Sequence, residues 1–313
     1  MASFENISYK KHSAHFDDYA AGGPKAGHAR TWLNQQTVNA WRHARLYQTI
    51  DPILRTEPGA KWLTVGDGRY GGNAMYINEN GGDATASDIS DVLLKEARDM
   101  GYILKFSREN AEDLSFSESE FDYVLCKESY HHFPRPMLAL YEMLRVAGKA
   151  VILIEPNDTG WTKKMINGRR ILEFIKSAMG RKQEKHLFEE SGNYVYSVSK
   201  REIEKAALGL NYPAVAFKGV NDAYYFGVEY EMLADRGPLH KKTKNMITLA
   251  DVLCRLGLLE YGILTAVIFK KDPSTEMSKR LSESGFDVIK LPSNPHSAEQ
   301  PSSGKKNPSL KHG

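Results

Sequence analysis

Cysteine is scarce in this chain, and long apolar runs are missing. The 313 residues include two cysteines, Cys126 and Cys254, which lie far apart in the sequence. This scarcity argues against a disulfide framework or a cysteine-rich zinc site and favours a reducing compartment, the cytoplasm. No apolar stretch approaches the ~20 residues of a membrane-spanning helix. The sequence therefore predicts a protein that is not an integral membrane protein.

A strong charge of one sign is also lacking. The formal net charge is +3, from 42 basic and 39 acidic residues, which is too small to indicate nucleic-acid binding by itself. The first 23 residues contain acidic side chains and no apolar block, so they do not form a secretory signal. With 41% hydrophobic and 26% charged residues, the composition is that of an ordinary globular protein.

Glycine is concentrated where the first predicted strand ends. The run from Lys61 to Val65 is followed by Gly66-x-Gly68-x-x-Gly71, a spacing that fits the dinucleotide-binding fingerprint. Glycines there let the backbone approach a ligand closely. Several cofactors share this device, and a turn that binds no ligand is a further alternative. Asp88, at the end of the next predicted strand, is placed to accept hydrogen bonds from ribose hydroxyls.

Strands and helices alternate up to residue 156. Strands are predicted at 61–65, 83–88, 102–106, 121–126 and 150–154, and helices at 31–54, 73–80, 90–100 and 137–146. This order predicts an α/β fold with a Rossmann-like, doubly wound and mostly parallel sheet. Two more strands are predicted at 214–217 and 261–269, a helix near 247–257, and a helix and strand over 275–291.

Motifs after the third strand distinguish between the cofactors. They are Asn110-Ala111, Leu114-Ser115-Phe116, Phe121-Asp122, His131-His132 and the stretch ALYEMLRVAGKAVILIEP. In this combination, residues 60–156 resemble class I S-adenosylmethionine-dependent methyltransferases of the type 11-like group. The resemblance implies S-adenosyl-L-methionine as the cofactor and one antiparallel strand near the C-terminal end of the sheet.

The resemblance also implies cofactor contacts at matching positions. They are Gly66, Asp67, Gly68 and Gly71 at the methionine end, Asp88 at the ribose, Ile89, Asn110 and Ala111 around the adenine, and Lys127 and Glu128 closing the pocket. The family usually has an acid at Thr64 and often one at Asn110. Asp67 is the candidate to replace the first carboxylate. The Asn110 carbonyl can still accept a hydrogen bond from the adenine amino group.

An alcohol acceptor needs a base, and histidine suits that task near neutral pH. His131 and His132 follow a strand's carboxyl end, where ligands of open α/β sheets bind. Adjacent side chains usually diverge, so we expect one to face the acceptor and favour His131; alternatively both are packing groups. Glu155 and Asp158 are the next candidates, as base or as ligands of acceptor hydroxyls. No metal site is predicted, because carboxylate sites need several converging oxygens.

The chain is divided around this core into five segments. Residues 1–29 form an irregular lid segment with His12, His15 and His28, and 30–156 form the cofactor-binding core. Residues 157–258 form a mainly helical substrate cap that includes one core strand. Residues 259–291 hold the final core strand and a C-terminal extension, and 292–313 a disordered tail.

Two segments of the cap bear on the acceptor. Residues 161–185 combine an apolar face with many Lys and Arg side chains, typical of a lid helix or of a docking surface for an anionic or lipid-linked glycan. Residues 219–231 place aromatic residues beside Asn221, Asp222 and Glu229, as in a sugar-binding wall or an aromatic core strand. Nucleic acid is not expected as a partner, because aromatic residues are not interleaved with the charges.

The expected function is O-methylation of a hydroxyl on a carbohydrate or other small molecule. The sequence is similar to methyltransferases encoded among bacterial surface-polysaccharide functions. The alternatives are an NAD-dependent oxidoreductase, for which we identify no Tyr-x-x-x-Lys pair of the short-chain dehydrogenase kind, and a non-catalytic protein that binds S-adenosylmethionine or S-adenosylhomocysteine. The expected location is the cytoplasm, with peripheral attachment to the inner membrane surface as an option. A homodimer is left open.

Overall fold

An eight-stranded sheet forms the centre of the computed structural model, which describes residues 3–158, 188–189 and 193–296. The strands are β1 (Lys61–Val65), β2 (Asp83–Asp88), β3 (Lys105–Arg108), β4 (Phe121–Lys127), β5 (Ala147–Pro156), β6 (Ala214–Val220), β7 (Ile263–Phe269) and β8 (Asp287–Lys290). Their spatial order is β3-β2-β1-β4-β5-β7-β6-β8. The first five are parallel, β7 runs antiparallel to β5 and β6, and β8 pairs antiparallel with β6. The predicted fold class is confirmed.

Helices cover both faces of this sheet. They are α1 (Phe4–Ala20), α2 (Gly23–Arg30), α3 (Val38–Tyr47), α4 (Asp51–Thr56), α5 (Gly72–Glu79), α6 (Val92–Asp99), α7 (Pro136–Val146), α8 (Lys200–Gly209), α9 (Pro238–Arg255) and α10 (Thr275–Glu283). Short 3₁₀ turns lie at Thr31–Leu33, Tyr130–His132 and Leu233–Asp235.

The central strands are apolar on both sides because helices cover both faces. Along β1, Trp62 faces one core cluster and Leu63 the other. In β5 the same alternation places Ile152 in the first cluster and Leu153 in the second, and both side chains are fully buried. These runs fix the register of β1, β4 and β5, whose carboxyl ends then lie side by side.

The expectation that residues 1–29 are irregular is wrong, since α1 and α2 occupy most of this segment. The helix predicted over 31–54 is also wrong as a single element. It is divided into a 3₁₀ turn, α3, whose N-cap Thr37 accepts a hydrogen bond from Ala40 N, and α4, which has Pro52 in its first turn. Helix α1 was missed because its only buried side chain is Ser8, so it lacks the apolar periodicity by which amphipathic helices are recognised.

Several predicted features fall wholly or partly outside the described residues. The basic segment 161–185 and the part of the expected tail from 297 to 313 are among them. The proposed segment boundaries remain predictions. Among the described helices, none has the length and apolar character needed to cross a bilayer.

Lys270, just after β7, holds the end of α7 in place. Its Nζ donates to the Leu144 and Ala147 carbonyls, at 2.8 and 2.6 Å. We expect Lys270→Met to lower the free energy of unfolding by about 1–3 kcal/mol, because those carbonyls lose a charged donor. Urea denaturation measures this change. The neighbouring exposed Lys271 is the control, and Lys271→Met should stay within about 0.5 kcal/mol of the parent; equal effects of both substitutions would contradict this role for Lys270.

Candidate active site

A cavity of about 760 Å³ opens at the carboxyl ends of β1, β2 and β4. Its volume lies within the roughly 300–1,000 Å³ of small-molecule sites. The α1 helix and the segment from residue 31 to α3 form the facing wall. Nine of the predicted site residues line it: Gly66, Asp67, Asp88, Ile89, Asn110, Ala111, Lys127, Glu128 and His132.

The glycine turn after β1 packs closely against Ser129 and Asp88, two residues of the cavity wall. Gly66 has a φ of +72°, and a Cβ there would lie 2.4 Å from the Ser129 Cβ. At Gly68 a Cβ would lie 2.8 Å from the Asp88 carboxyl carbon. The turn therefore needs glycine for its conformation at the first position and for space at the second.

Asp67 organises the turn and the start of α5. Its carboxylate accepts hydrogen bonds from the Thr64 hydroxyl at 2.7 Å and from the backbone N–H groups of Asn73 and Ala74 at 3.1 and 3.0 Å. Burial raises its pKa to about 6, although these donors act in the opposite direction. A carboxylate thus lies beside the neutral Thr64, at the position where the resembled family usually has an acid.

Asp88 ends β2 with its carboxyl group over Gly68. One oxygen accepts the Ser90 N–H at 3.0 Å, and the side chain is 7% exposed. Burial is the main reason that its pKa is raised to about 7, and the negative charge of Asp67 adds to the shift. Donors supplied by a ligand, such as ribose hydroxyls, would favour the ionised form.

The loop after β3 forms another part of the wall. Asn110 and Ala111 line the cavity, and the Asn110 side-chain carbonyl accepts the Glu112 N–H at 3.1 Å. Two buried acids here were not among the predicted site residues. Glu109 accepts from Ser107 and Ser115, and Glu112 accepts from Tyr9 and from two Arg135 nitrogens. Through Tyr9, this loop holds α1 over the cavity.

A charged cluster lies at the end of β4. Lys127 Nζ contacts the Glu128 carboxylate and lies 2.9 Å from His43 Nδ1, above the Tyr47 ring. Burial, followed by the Lys127 charge, lowers the pKa of His43. Burial alone would raise the Glu128 pKa, but Lys127 and His43 hold it well below the usual range. Glu128 has a φ of +52°, a rare backbone conformation of the kind that clusters at functional sites.

His131 is turned toward β5. Its Nδ1 lies 2.6 Å from a carboxylate oxygen of the fully buried Glu155, and the ring is absent from the cavity wall. Burial lowers the pKa of His131, but the Glu155 carboxylate outweighs it and raises the pKa above its usual value. Glu155 also accepts the N–H groups of Ser129 and Tyr130 at 2.8 and 2.9 Å. The preference for His131 as the group facing the acceptor does not fit this placement.

His132 lines the cavity instead. Its Nδ1 lies 2.6 Å from a carboxylate oxygen of Glu189, a cavity residue that the sequence analysis missed. The His12 ring lies 6.0 Å from that of His132 and also contacts the Asn193 side chain. Burial raises the Glu189 pKa, but His132 outweighs it and lowers the pKa to about 2, so the carboxylate stays ionised at neutral pH.

Other predicted groups lie elsewhere. Asp158 is exposed and donates its N–H to the Val198 carbonyl. None of residues 219–231 lines the cavity; Asp222 instead pairs with the buried Arg42 of α3, and Asn221 contacts Asp251 and Gly262. Within the described part of the chain, no group of three or more metal-binding side chains is arranged to hold an ion.

Comparison with known proteins finds a family match for part of this chain. Residues 63–154 match the family described as a methyltransferase domain. The probable phthiotriol/phenolphthiotriol dimycocerosates methyltransferase 2 of Mycobacterium ulcerans (strain Agy99) is 36% identical over 92 residues, which are 28% of this chain and 35% of that protein. Residues 63–154 are a class I methyltransferase domain. The chain spans about a third of the length of this curated relative.

The methyltransferase domain uses S-adenosyl-L-methionine as its cofactor. The site fits this molecule, because a bare turn and a carboxylate adjoin at the ends of β1 and β2. Solved structures with similar folds include magnesium protoporphyrin IX methyltransferase from Synechocystis PCC 6803 with bound S-adenosylhomocysteine, 15% identical over 72% of this chain and 83% of that one, TM-score 0.41. Another is the YcgJ protein of Bacillus subtilis, 18% identical over 72% of this chain and 99% of that one, TM-score 0.44.

The Tyr-x-x-x-Lys spacing does occur, at Tyr123 and Lys127 and again at Tyr196 and Lys200, so its expected absence is wrong. Neither member of the second pair lines the cavity. Tyr123 and Lys127 belong to the extended strand β4, where four residues span about 13 Å. The Tyr123 ring is stacked on Trp62, 4.7 Å between ring centroids, whereas Lys127 faces the cavity. The two groups therefore cannot act together, as the pair in a short-chain dehydrogenase does.

Glu155 provides a test of how the loop after β4 is held. Glu155→Gln keeps an oxygen for the Ser129 and Tyr130 N–H groups, but it replaces the carboxylate oxygen beside His131 Nδ1 with a neutral amide N–H₂ group. We expect a loss of about 1–3 kcal/mol in the free energy of unfolding, because the buried charge-assisted contact with His131 is lost. Chemical denaturation measures it, with Asp158→Asn as the control at an exposed acid on the same segment. A Glu155→Gln protein as stable as this control would contradict the role given to Glu155.

Proposed function

We propose that this chain catalyses methyl transfer from S-adenosylmethionine to a hydroxyl oxygen of a small molecule, glycan or lipid-linked acceptor. One observation carries the proposal. A single cavity is lined at one end by the glycine turn and Asp88, and elsewhere by a histidine paired with an ionised carboxylate. The first set suits a nucleoside, and the second suits removal of a proton from an alcohol.

The cofactor residues are assigned from the resemblance and, for all of them except Gly68 and Gly71, from their place in the cavity wall. We assign Gly66, Asp67, Gly68 and Gly71 to the methionine end, Asp88 to the ribose, Ile89, Asn110 and Ala111 to the adenine, and Lys127 and Glu128 to the closure beyond β4. S-adenosylmethionine supplies a methyl group activated by a positively charged sulfur. The chain's own contribution is to hold this group in a cavity that α1 shields from water.

His132 is the proposed base. Glu189 lies beside Nδ1, and a ring with its proton on that nitrogen would present the Nε2 lone pair to the acceptor. Nε2 would take the proton of the acceptor hydroxyl as the hydroxyl oxygen bonds to the methyl carbon, while the bond from that carbon to sulfur breaks and S-adenosylhomocysteine leaves. His131 and Glu155 then serve to position the loop that carries His132, and His12 extends the same side of the cavity.

The chemical class of the acceptor remains a proposal. The curated relative is named for a methyltransferase of dimycocerosate lipids, and this favours an apolar or lipid-linked acceptor. The resemblance to surface-polysaccharide methyltransferases favours a sugar hydroxyl, and a lipid-linked glycan would satisfy both. A protein that binds the cofactor without catalysis is the second candidate, favoured by the neutral residue Thr64.

Cofactor binding tests the first half of the proposal. We expect calorimetry to give micromolar binding of S-adenosylhomocysteine and none of NAD. Asp88→Asn should weaken this binding about 10- to 100-fold, because charged hydrogen bonds to the ribose are lost.

In the parent, the affinity for S-adenosylhomocysteine should rise from pH 6 to 8, because Asp88, with its pKa raised to about 7, must be ionised to accept both hydroxyls.

The control for Asp88 is Asp83→Asn at the other, partly exposed end of β2, where Asp83 pairs with Lys105. Its affinity for S-adenosylhomocysteine should equal that of the parent at every pH. Tight NAD binding, or an Asp88→Asn protein with unchanged affinity, would overturn the assignment.

The proposed base is tested once labelled methyl transfer onto nucleotide sugars, lipid-linked sugars, glycan phosphates and phenols has identified an acceptor. His132→Ala should lower kcat about 100-fold or more, because proton removal by a positioned group contributes this much. Glu189→Gln should lower kcat less, and both variants should keep the parent affinity for S-adenosylhomocysteine. His28→Ala, at a partly buried histidine that contacts Tyr230 and does not line the cavity, is the control. Parent turnover in His132→Ala would remove it from the mechanism.

A further inference from the structure

The outer face of α9 is apolar although it faces solvent. Met246, Leu249 and Leu256 expose 46, 54 and 66% of their surface, and Val252 is also exposed. These residues follow one another at intervals of three and four, so they form a stripe on one face of the helix. Leu258 and Leu259 extend it past the helix end. We call these six residues the α9 surface.

The opposite face of α9 already packs on the protein. Thr243 and Ile247 are buried, and Asp251 accepts a hydrogen bond from the Asn221 side chain at 2.8 Å. The inner face alone therefore provides the contacts that hold α9 on the rest of the protein. The α9 surface is a second apolar face, and contiguous exposed apolar patches of this kind mark interaction sites.

Positive charge borders the α9 surface. Lys241, Lys244 and Arg255 are exposed on α9, and Lys242 lies over the Tyr225 ring at 4.0 Å. Over residues 238–259 the one carboxylate is that of Asp251, which is turned inward. An apolar stripe flanked by Lys and Arg is the pattern of helices that lie in the interface of an anionic bilayer.

The same charges argue against a second copy of the chain as the occupant. A two-fold dimer through the α9 surface would bring Lys241, Lys244 and Arg255 of both copies together, against one exposed carboxylate beside the surface in each copy, that of Glu260. An anionic lipid surface instead attracts the cations and accepts the apolar side chains. We propose that α9 docks this protein on the surface of an anionic membrane.

The position of α9 connects the docked surface to the cavity. The Trp41 ring of α3 contacts His240 at the start of α9, and Glu231 accepts the N–H groups of Leu239 and His240. On its other side α3 contributes Asn39, Ala40 and His43 to the cavity wall. Docking through α9 would therefore hold one wall of the cavity close to the bilayer. The inference goes beyond the proposed reaction and does not depend on it.

Vesicle sedimentation tests the docking surface with the full chain. We expect binding to vesicles of phosphatidylglycerol and phosphatidylcholine in equal parts, reduced by added salt, and little binding to phosphatidylcholine alone. The double variant Leu249→Ser, Leu256→Ser should bind the anionic vesicles at least about tenfold more weakly, because two inserted leucines are lost. The charge variant Lys241→Glu, Lys244→Glu should bind comparably weakly.

The control is Leu104→Ser, Leu138→Ser, which removes two leucines of similar exposure from other surfaces, before β3 and on α7. It should bind the vesicles as the parent does, and circular dichroism and urea midpoints should match among all variants. Absence of parent binding, or equal binding by the Leu249→Ser, Leu256→Ser variant, overturns the proposal. If light scattering shows a dimer that this variant dissociates, and the parent does not bind vesicles, the proposal is overturned in favour of self-association. Binding of S-adenosylhomocysteine is measured in a separate experiment. A failure of the proposed reaction can therefore be told apart from a failure of membrane docking.

Discussion

One chain of hydrogen bonds joins the ends of three central strands, and the geometry of the cavity depends on it. The buried Glu155 carboxylate at the end of β5 accepts the Ser129 N–H beyond β4, and the Ser129 hydroxyl donates to the Gly66 carbonyl beyond β1 at 2.6 Å. Parallel strands bring their carboxyl ends to one edge of the sheet, but they do not fix the loops that follow. Glu155 fixes them, and this is a stronger reason for a buried carboxylate at that position than acid–base chemistry.

The cavity contains more buried charge than a structural core would tolerate. Asp67 and Asp88 have raised pKa values because they lose solvent, whereas Glu128 keeps its charge because Lys127 and His43 adjoin it. Burying such groups costs free energy unless donors compensate them. The glycine turn supplies space at this point instead of side chains. A nucleoside has free hydroxyls that need hydrogen-bond acceptors. A buried carboxylate that can accept further hydrogen bonds, next to backbone without side chains, suits such a ligand.

The wall of the cavity formed by α1 is built from contacts of a different kind. Helix α1 is held by polar contacts, from Tyr9 to Glu112 and from Ser90 to Asp17, and its apolar contacts with the core come from the partly buried Phe16, Tyr19 and Ala20 at its C-terminal end. Polar contacts between a surface helix and a core are more easily exchanged with water than a packed interface is. This suits a wall that must admit two substrates. The α9 surface, on the far side of α3, adds an apolar and basic face that the domain's own core does not need.

The sequence by itself determined the sheet and the end of the cavity formed by the glycine turn and Asp88. The strands β1, β2 and β4, the glycine turn and Asp88 are encoded locally, because alternating and continuous apolar runs set the strands and glycine alone fits the turn. The domain match over residues 63–154 covers this part of the chain. Only the tertiary structure decided the rest. It made α1 a helix without an apolar stripe, and it turned His131 toward Glu155 and His132 toward Glu189. It also brought His43 from α3 to Lys127. Such pairings join residues far apart in sequence, and the direction of a side chain in a short turn is set by the distant group that it meets.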